Sequence, residues 1–399
     1  MAPTIGEEER YDVLAEVDKK AQTLVEQIKK SKHFIAFTGA GVSTSAGIPD
    51  FRGPEGNWTL RAQGRERGGE PVNTLQAIPT PRHMALVALQ NRGILKYLVS
   101  QNCDGLHRRS GILPNKISEL HGNTNREICK DCGKEYLRDY RAVASYEHSD
   151  HDHRTGRKCA SCGGVLHDTI VNFDEFLPAI PLELARSNAK KADLCLVLRS
   201  SLTVPPANTI PESVGKRKSA KLAICNLQTT EIDKHSSLRI YAKTDDLMIK
   251  VMEKLEIPIP TFILQRHLVI EMETKGAQHK VTVSGVDVDG TSVTFLRSVK
   301  LEGSRRAARS EPFVINFRDD LESGAQLKLE LEFMGHYGEP NLEVTHEYDA
   351  ERNTETSHLL EYNPQTGEWK TSIQGGLDVI DLTGDDSMDL TSAVDALSV

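Results

Sequence analysis

Apolar residues recur at three- and four-residue steps at Leu14, Val17, Ala21, Leu24 and Ile28, with charged residues between them, and this predicts an amphipathic helix packed on something larger. It leads into His33-Phe34-Ile35-Ala36-Phe37, a short apolar strand. Further runs of the buried-strand type lie at Leu95 to Ser100, Asp193 to Leu198 and Lys221 to Cys225, separated by helical stretches such as Pro81 to Arg92 and Asp245 to Leu255. Strands alternating with helices predict an α/β fold: a doubly wound, Rossmann-like parallel sheet that takes ligands at its strand C-termini. From about Thr261 the texture changes. The stretches Phe262 to Glu273, Lys280 to Val288, Ser292 to Lys300, Pro312 to Phe317, Gln326 to Phe333 and Asn341 to Glu347 read as strands with turns between them, so an all-β, sandwich-like domain is expected over 261–370. Beyond about Gln374 the chain is acidic and rich in Ser, Thr, Gly and Asp, which predicts a disordered tail over 374–399. The remaining divisions are an N-terminal helix within 1–30 and an α/β domain over 31–257 interrupted at 124–168.

Composition narrows this picture little. A chain of 399 residues with 38% hydrophobic content is long enough for two cores, and its net charge of −8 gives no case for nucleic-acid binding. No apolar run approaches the roughly 20 residues that span a bilayer, and an intracellular protein is expected.

The interruption carries the clearest chemistry. Cys129-Lys130-Asp131-Cys132 and Cys159-Ala160-Ser161-Cys162 are two close cysteine pairs, each followed by a glycine, Gly133 or Gly163. Four thiolates in two such turns suit tetrahedral Zn²⁺, and a site filled by four protein sulfurs is structural, because no position is left for water. The stretch between the pairs exceeds the usual ribbon spacing and is expected to be a loop or small helix. The nearby His148, His151 and His153 sit in a polar run without an apolar anchor and read as a solvated loop. Cys103, Cys195 and Cys225 read as small buried thiols.

After the first strand, Gly39-Ala40-Gly41 lets backbone N–H groups approach a phosphate at the start of a helix. The dehydrogenase fingerprint fails, since Thr44 holds its third glycine position. The string instead extends from Thr38 through Ala46-Gly47-Ile48-Pro49-Asp50-Phe51-Arg52-Gly53 to Asn57-Trp58. Downstream come Gln101-Asn102-Cys103-Asp104-Gly105-Leu106-His107, Arg109-Ser110-Gly111 and Glu119-Leu120-His121-Gly122-Asn123. In this order, and followed by the cysteine pairs, these strings closely resemble the sirtuins, the NAD-dependent protein lysine deacylases. The resemblance covers about residues 30 to 257. Asp168-Thr169-Ile170-Val171 and Asn226-Leu227-Gln228-Thr229 look most like the class of mammalian sirtuins six and seven, with the β domain and tail outside the resemblance.

The resemblance implies a transferase that consumes NAD, releasing nicotinamide as the acyl oxygen of a lysine amide attacks the ribose carbon. Action on histones or other nuclear proteins is expected, in the nucleus if the tail motif described below acts and otherwise in the cytoplasm. His121 would be the general base, with Asn102 and Asp104 ordering the nicotinamide ribose and carboxamide pocket and Gln101 near the ribose. Gly39, Ala40, Gly41, Thr44, Asp50, Phe51, Arg52 and Trp58 would line the pyrophosphate and nicotinamide side, and Ser201, Asn226 and Gln228 would face the adenosine. The acyl-lysine peptide would pair with Val171-Asn172-Phe173-Asp174-Glu175, where Asp174 replaces a glycine of many relatives. Leu198-Arg199-Ser200-Ser201-Leu202 departs from the family in carrying Arg199 for a glycine, a change that blocks NAD or grips its phosphate. The competing reading is therefore a catalytically weak NAD or ADP-ribose sensor or scaffold, or a mono-ADP-ribosyltransferase. In the tail, Val379, Ile380 and Leu382 beside Asp385 and Asp386 resemble a SUMO-interacting motif, which adds a strand to a partner's sheet edge.

Overall fold

The computed structural model of the chain describes residues 8–66, 68, 73–147, 149, 151–350 and 354–374. It divides into two units: one holds residues 1–264 with the segments 335–338 and 363–367, the other the rest. The first unit contains β1 (Phe34–Thr38), β2 (Leu95–Ser100), β3 (Ile117–Glu119), β4 (Arg126–Cys129) and β5 (Glu135–Arg138). It continues with β6 (Arg154–Lys158), β7 (Val165–Asp168), β8 (Leu194–Leu198), β9 (Lys221–Cys225) and β10 (Leu238–Ile240).

The main sheet runs β10-β9-β8-β1-β2-β3 and is parallel throughout. Every residue of β1 is buried. Phe34 and Ala36 enter the core shared with the helices Leu14–Lys30, Pro81–Asn91 and Thr244–Leu255, while Ile35 and Phe37 enter the opposite core with Ala179–Lys191 and Thr209–Gly215. Burial on both faces explains why these strands are apolar runs without alternation. The chain leaves β1 for β2 on one side and later returns to β8 on the other, so a crevice opens above β1 where the winding reverses. Register aligns Thr38 with Ser100 and Leu198, and Leu198 with Cys225. The next residue of each strand, Gly39, Gln101, Arg199 or Asn226, therefore stands at the crevice.

The cysteine module is a small antiparallel sheet ordered β5-β4-β7-β6. The stretch between the cysteine pairs forms strands β5 and β6 joined by the expected loop over 139–153, with no helix among its described residues, and Glu127, fully buried on β4, holds the two strands to it. It accepts bonds from Arg138 Nε at 2.8 Å and Arg157 Nε at 2.6 Å. The N-terminal helix runs Leu14–Lys30, and the described residues 8–13 ahead of it carry no helix, with Arg10 N donating to Leu227 O and Asp12 N to Tyr241 O.

The second unit carries β11 (Leu264–Lys275), β12 (Gln278–Val286), β13 (Ser292–Thr294), β14 (Leu296–Leu301), β15 (Phe313–Arg318), β16 (Gln326–Phe333), β17 (Leu342–Glu347), β18 (Thr354–Asn363) and β19 (Glu368–Gln374). One sheet runs β19-β18-β11-β12, with β13 and β15 also bonded to β12, and a second runs β14-β16-β17. Both contribute to one apolar core, as the expected sandwich requires. The strand expected over 292–300 is broken into β13 and β14 at Phe295, whose ring is itself buried in that core. The tail beyond Gln374, with Val379, Ile380 and Leu382, lies outside the described residues, as does His148.

Candidate functional site

The crevice holds a cavity of about 430 Å³. Gly39, Ala40 and Gly41 form its floor, and the residues after them make a 3₁₀ helix, Ala40–Ala46, in place of the expected helix start. Glycine is required at Gly39, where a Cβ would lie 2.7 Å from the backbone of Arg199 and Ser200. Asp50, Phe51, Arg52 and Trp58 line one wall, with the Arg52 guanidinium 4.4 Å from the Trp58 ring and the Phe173 ring tilted against Trp58 at 5.4 Å. Ser201, Asn226 and Gln228 line the opposite end. Bare backbone, an arginine and a polar far end fit a dinucleotide with two phosphates.

Gln101 and His121 meet at the inner wall. The Nδ1–H of His121 donates to the Gln101 carbonyl at 3.1 Å, which leaves Nε2 as the nitrogen able to accept a proton. Burial lowers the His121 pKa, partly countered by that carbonyl, so the ring is neutral at pH 7. Gly122 fixes its position: φ is +78° and a Cβ would fall 1.7 Å from the carbonyl oxygen of Thr169. Cys103 also lines the cavity, but burial pushes its thiol up to about 12, so it is inert as a nucleophile. Burial likewise raises Cys195 and Cys225 to about 12.

Three expected residues stand behind the wall, not among the cavity-lining residues. Thr44 Oγ1 donates to Gly41 O at 2.9 Å. Asp104 accepts from Ser43 Oγ at 2.6 Å and from Leu106 N at 2.9 Å, while Asn102 Nδ2 donates to the same Ser43 hydroxyl at 3.4 Å. The Asn102 side-chain oxygen is buried without a hydrogen-bond partner. Glu9 and Ser200 line the cavity unforeseen. Ser200 carried a local signal in its motif string, whereas Glu9 is placed by the distant Arg10–Leu227 backbone bond.

Arg199 adopts φ +51°, a region suited to glycine, and its side chain projects against Gly41. Its guanidinium lies 3.7 Å from Glu9 and 3.5 Å from Asp50 and is 13% exposed. It thus fills part of the phosphate cradle and draws on Asp50, an expected cofactor contact. Arg199→Gly is expected to bind NAD about three- to tenfold more tightly by calorimetry, a gain near 1 kcal/mol. Weaker binding by the glycine form would mean that Arg199 grips the cofactor.

The cysteine Sγ atoms lie within 4.8 Å of one another, with Cys129 to Cys162 at 3.5 Å and Cys132 to Cys159 at 3.7 Å. Zn–S bonds of about 2.3 Å in a tetrahedron put sulfurs ~3.8 Å apart, and a disulfide needs about 2.05 Å, so the set fits zinc. The two turns are built alike: Gly133 N donates to Cys129 O and Gly163 N to Cys159 O. The histidine run is not merely solvated, since His151 and His153 bond to Glu175.

A Sir2 family model matches residues 69–206. NAD-dependent protein deacetylase SRT1 of Arabidopsis thaliana is 37% identical over 362 residues, covering 82% of this chain and 75% of that protein. NAD-dependent protein deacetylase Sirt6 of Drosophila melanogaster is 38% identical, covering 65% of this chain and 82% of that protein. NAD-dependent protein deacetylase sirtuin-7 of Homo sapiens is 38% identical, covering 64% of this chain and 65% of that protein. The chain belongs to the Sir2 family, the sirtuins, with relatives of the sirtuin-six and -seven type. The Arabidopsis match covers more of the chain than residues 1–257 amount to, so the likeness reaches into the β domain, contrary to the narrower limit expected from motifs.

Proposed function

We propose that this chain is an NAD-dependent protein lysine deacylase that acts on histones or other nuclear proteins and releases nicotinamide and O-acyl-ADP-ribose. The observation that carries this is the pairing, in one cavity, of a glycine-floored phosphate cradle with a neutral His121 whose Nε2 is free to accept a proton. Arg52 supplies charge-assisted bonds to phosphate, and Ser201, Asn226 and Gln228 face the adenosine end. Asn102 and Asp104, tied together through the Ser43 hydroxyl, order the nicotinamide ribose and carboxamide pocket from behind the wall. His121 removes a proton from a ribose hydroxyl once the acyl oxygen has attacked. Zinc, held by Cys129, Cys132, Cys159 and Cys162, supports the fold alone. The tail motif at Val379, Ile380 and Leu382 brings the enzyme to SUMO-modified partners.

The test is incubation with NAD and an acetylated histone peptide, followed by detection of nicotinamide and acetylated ADP-ribose. Nicotinamide release coupled to labelling of protein instead of deacylation would indicate mono-ADP-ribosyl transfer. NAD or ADP-ribose binding without turnover would favour the sensor reading, which Arg199 in the cradle supports. A base must be unprotonated to act, and the His121 pKa is lowered below its ordinary 6.5. Activity is therefore expected to fall only as pH drops through that lowered value, with kcat/KM flat from about pH 7 upward on the His121 limb. An acid limb of kcat/KM centred above 6.5 would contradict this.

A further inference from the structure

His153 stands just before β6 and reaches the turn at 171–175. Its Nδ1 lies 2.7 Å from Asp168 Oδ1 and its Nε2 2.8 Å from Glu175 Oε1, and its side chain is 14% exposed. A neutral imidazole has one N–H and can donate to only one of these carboxylates, so the pair of contacts requires the imidazolium. Asp168 is fixed from all sides: it accepts from Ala144 N at 2.7 Å, Tyr146 OH at 3.0 Å and Ile170 N at 3.1 Å. The second oxygen of Glu175 accepts from Asn172 N at 2.7 Å and closes the turn. Within that turn Asp174 holds φ +66°, a conformation that a side-chain-bearing residue adopts sparingly and that external bracing must sustain.

We propose that Asp168, His153 and Glu175 form a positioning relay by which the cysteine module sets the turn at 171–175 and makes its grip on an acyl-lysine peptide depend on pH. This rests on the reading of that turn as the peptide-binding segment. The sign follows from the charge. Burial lowers the His153 pKa, but the bonds to Glu175 and Asp168 outweigh it and hold the group above 6.5. The charged ring is therefore complete below about 6.5 and is lost as pH rises through the raised value, when one of the two carboxylates loses its bond to the ring. Glu175 is the freer of the two, so the turn loosens on the alkaline side. The other groups facing the ring do not replace it. His151 Nδ1 meets the same Glu175 oxygen at 3.0 Å, Tyr146 lies edge-on at 5.8 Å, and His167 shares its field. Arg154 is held by Asp152 at 2.7 Å.

The test is calorimetric titration of an acetyl-lysine peptide into the zinc-loaded full chain at about pH 6 and about pH 8.5, with NAD titrated separately. The natural protein should bind peptide about three- to tenfold more weakly at the higher pH, with its NAD affinity unchanged. His153→Gln should show the weaker value at both, and His151→Gln should behave as the natural protein does. Zinc content and thermal transition establish folding, and Glu175→Gln, expected to bind weakly at both pH values, decides the matter if His153→Gln does not fold. Retained pH dependence in the folded His153 variant, or its loss in the His151 variant, would overturn the relay. Natural protein that binds peptide equally at both pH values overturns the relay alone; no binding at either overturns the peptide-turn reading and the relay with it.

Discussion

Replacing His121 with alanine or tyrosine is expected to abolish deacylation while leaving the fold in place. General-base catalysis contributes on the order of 10²- to 10⁴-fold, and among the cavity-lining residues His121 is the neutral imidazole with a free ring nitrogen. The structural loss is small: one hydrogen bond to the Gln101 carbonyl, worth about 1 kcal/mol. His121 is bracketed by Leu120 in the opposite-face core and by Gly122 against Thr169, and neither depends on the ring. Nicotinamide and acetylated ADP-ribose would be quantified beside the thermal transition of each variant. A folded variant that keeps full activity would remove His121 from the chemistry.

The main sheet was legible because strands buried on both faces must be apolar runs, and β1, β2, β8 and β9 fall where those runs lie. The cavity was legible because four of those strands end in register, so motif strings far apart in the chain meet at one level. Strands with polar residues at their paired or buried positions escaped. In β6, Arg154–Lys158, there is no apolar side chain at all, and the strand exists through its pairing with β7 and the demand of Glu127 for Arg157. In β18 the buried positions include Ser357 and His358, which hides the alternation that reveals β16. Glu9 and His153 escaped for a different reason. Each owes its role to a contact across many residues, Glu9 with Arg199 and His153 with Glu175, and no local pattern encodes either. Arg199 was visible as an oddity, but only its left-handed backbone and its hold on Asp50 show what it does to the cradle.

The same contrast between local and distant support governs the metal. The apolar cluster of the cysteine module consists of Cys129, Tyr136, Cys159 and Leu166, two of them ligands, which is far too little buried surface to fold alone. Structural zinc supplies about 10–16 kcal/mol of apparent binding energy in small domains, more than such a cluster can replace. Cys159→Ser together with Cys162→Ser is therefore expected to lose the one zinc per chain and to unfold residues 124–168. The main sheet should survive, because its two cores, on either face of β1, contain no residue of that span. Activity should still vanish, since Thr169, against which Gly122 is seated beside His121, follows directly on β7. Metal analysis without zinc beside a surviving main-sheet transition would show this, whereas a double variant that kept both its zinc and its native transition would refute the assignment.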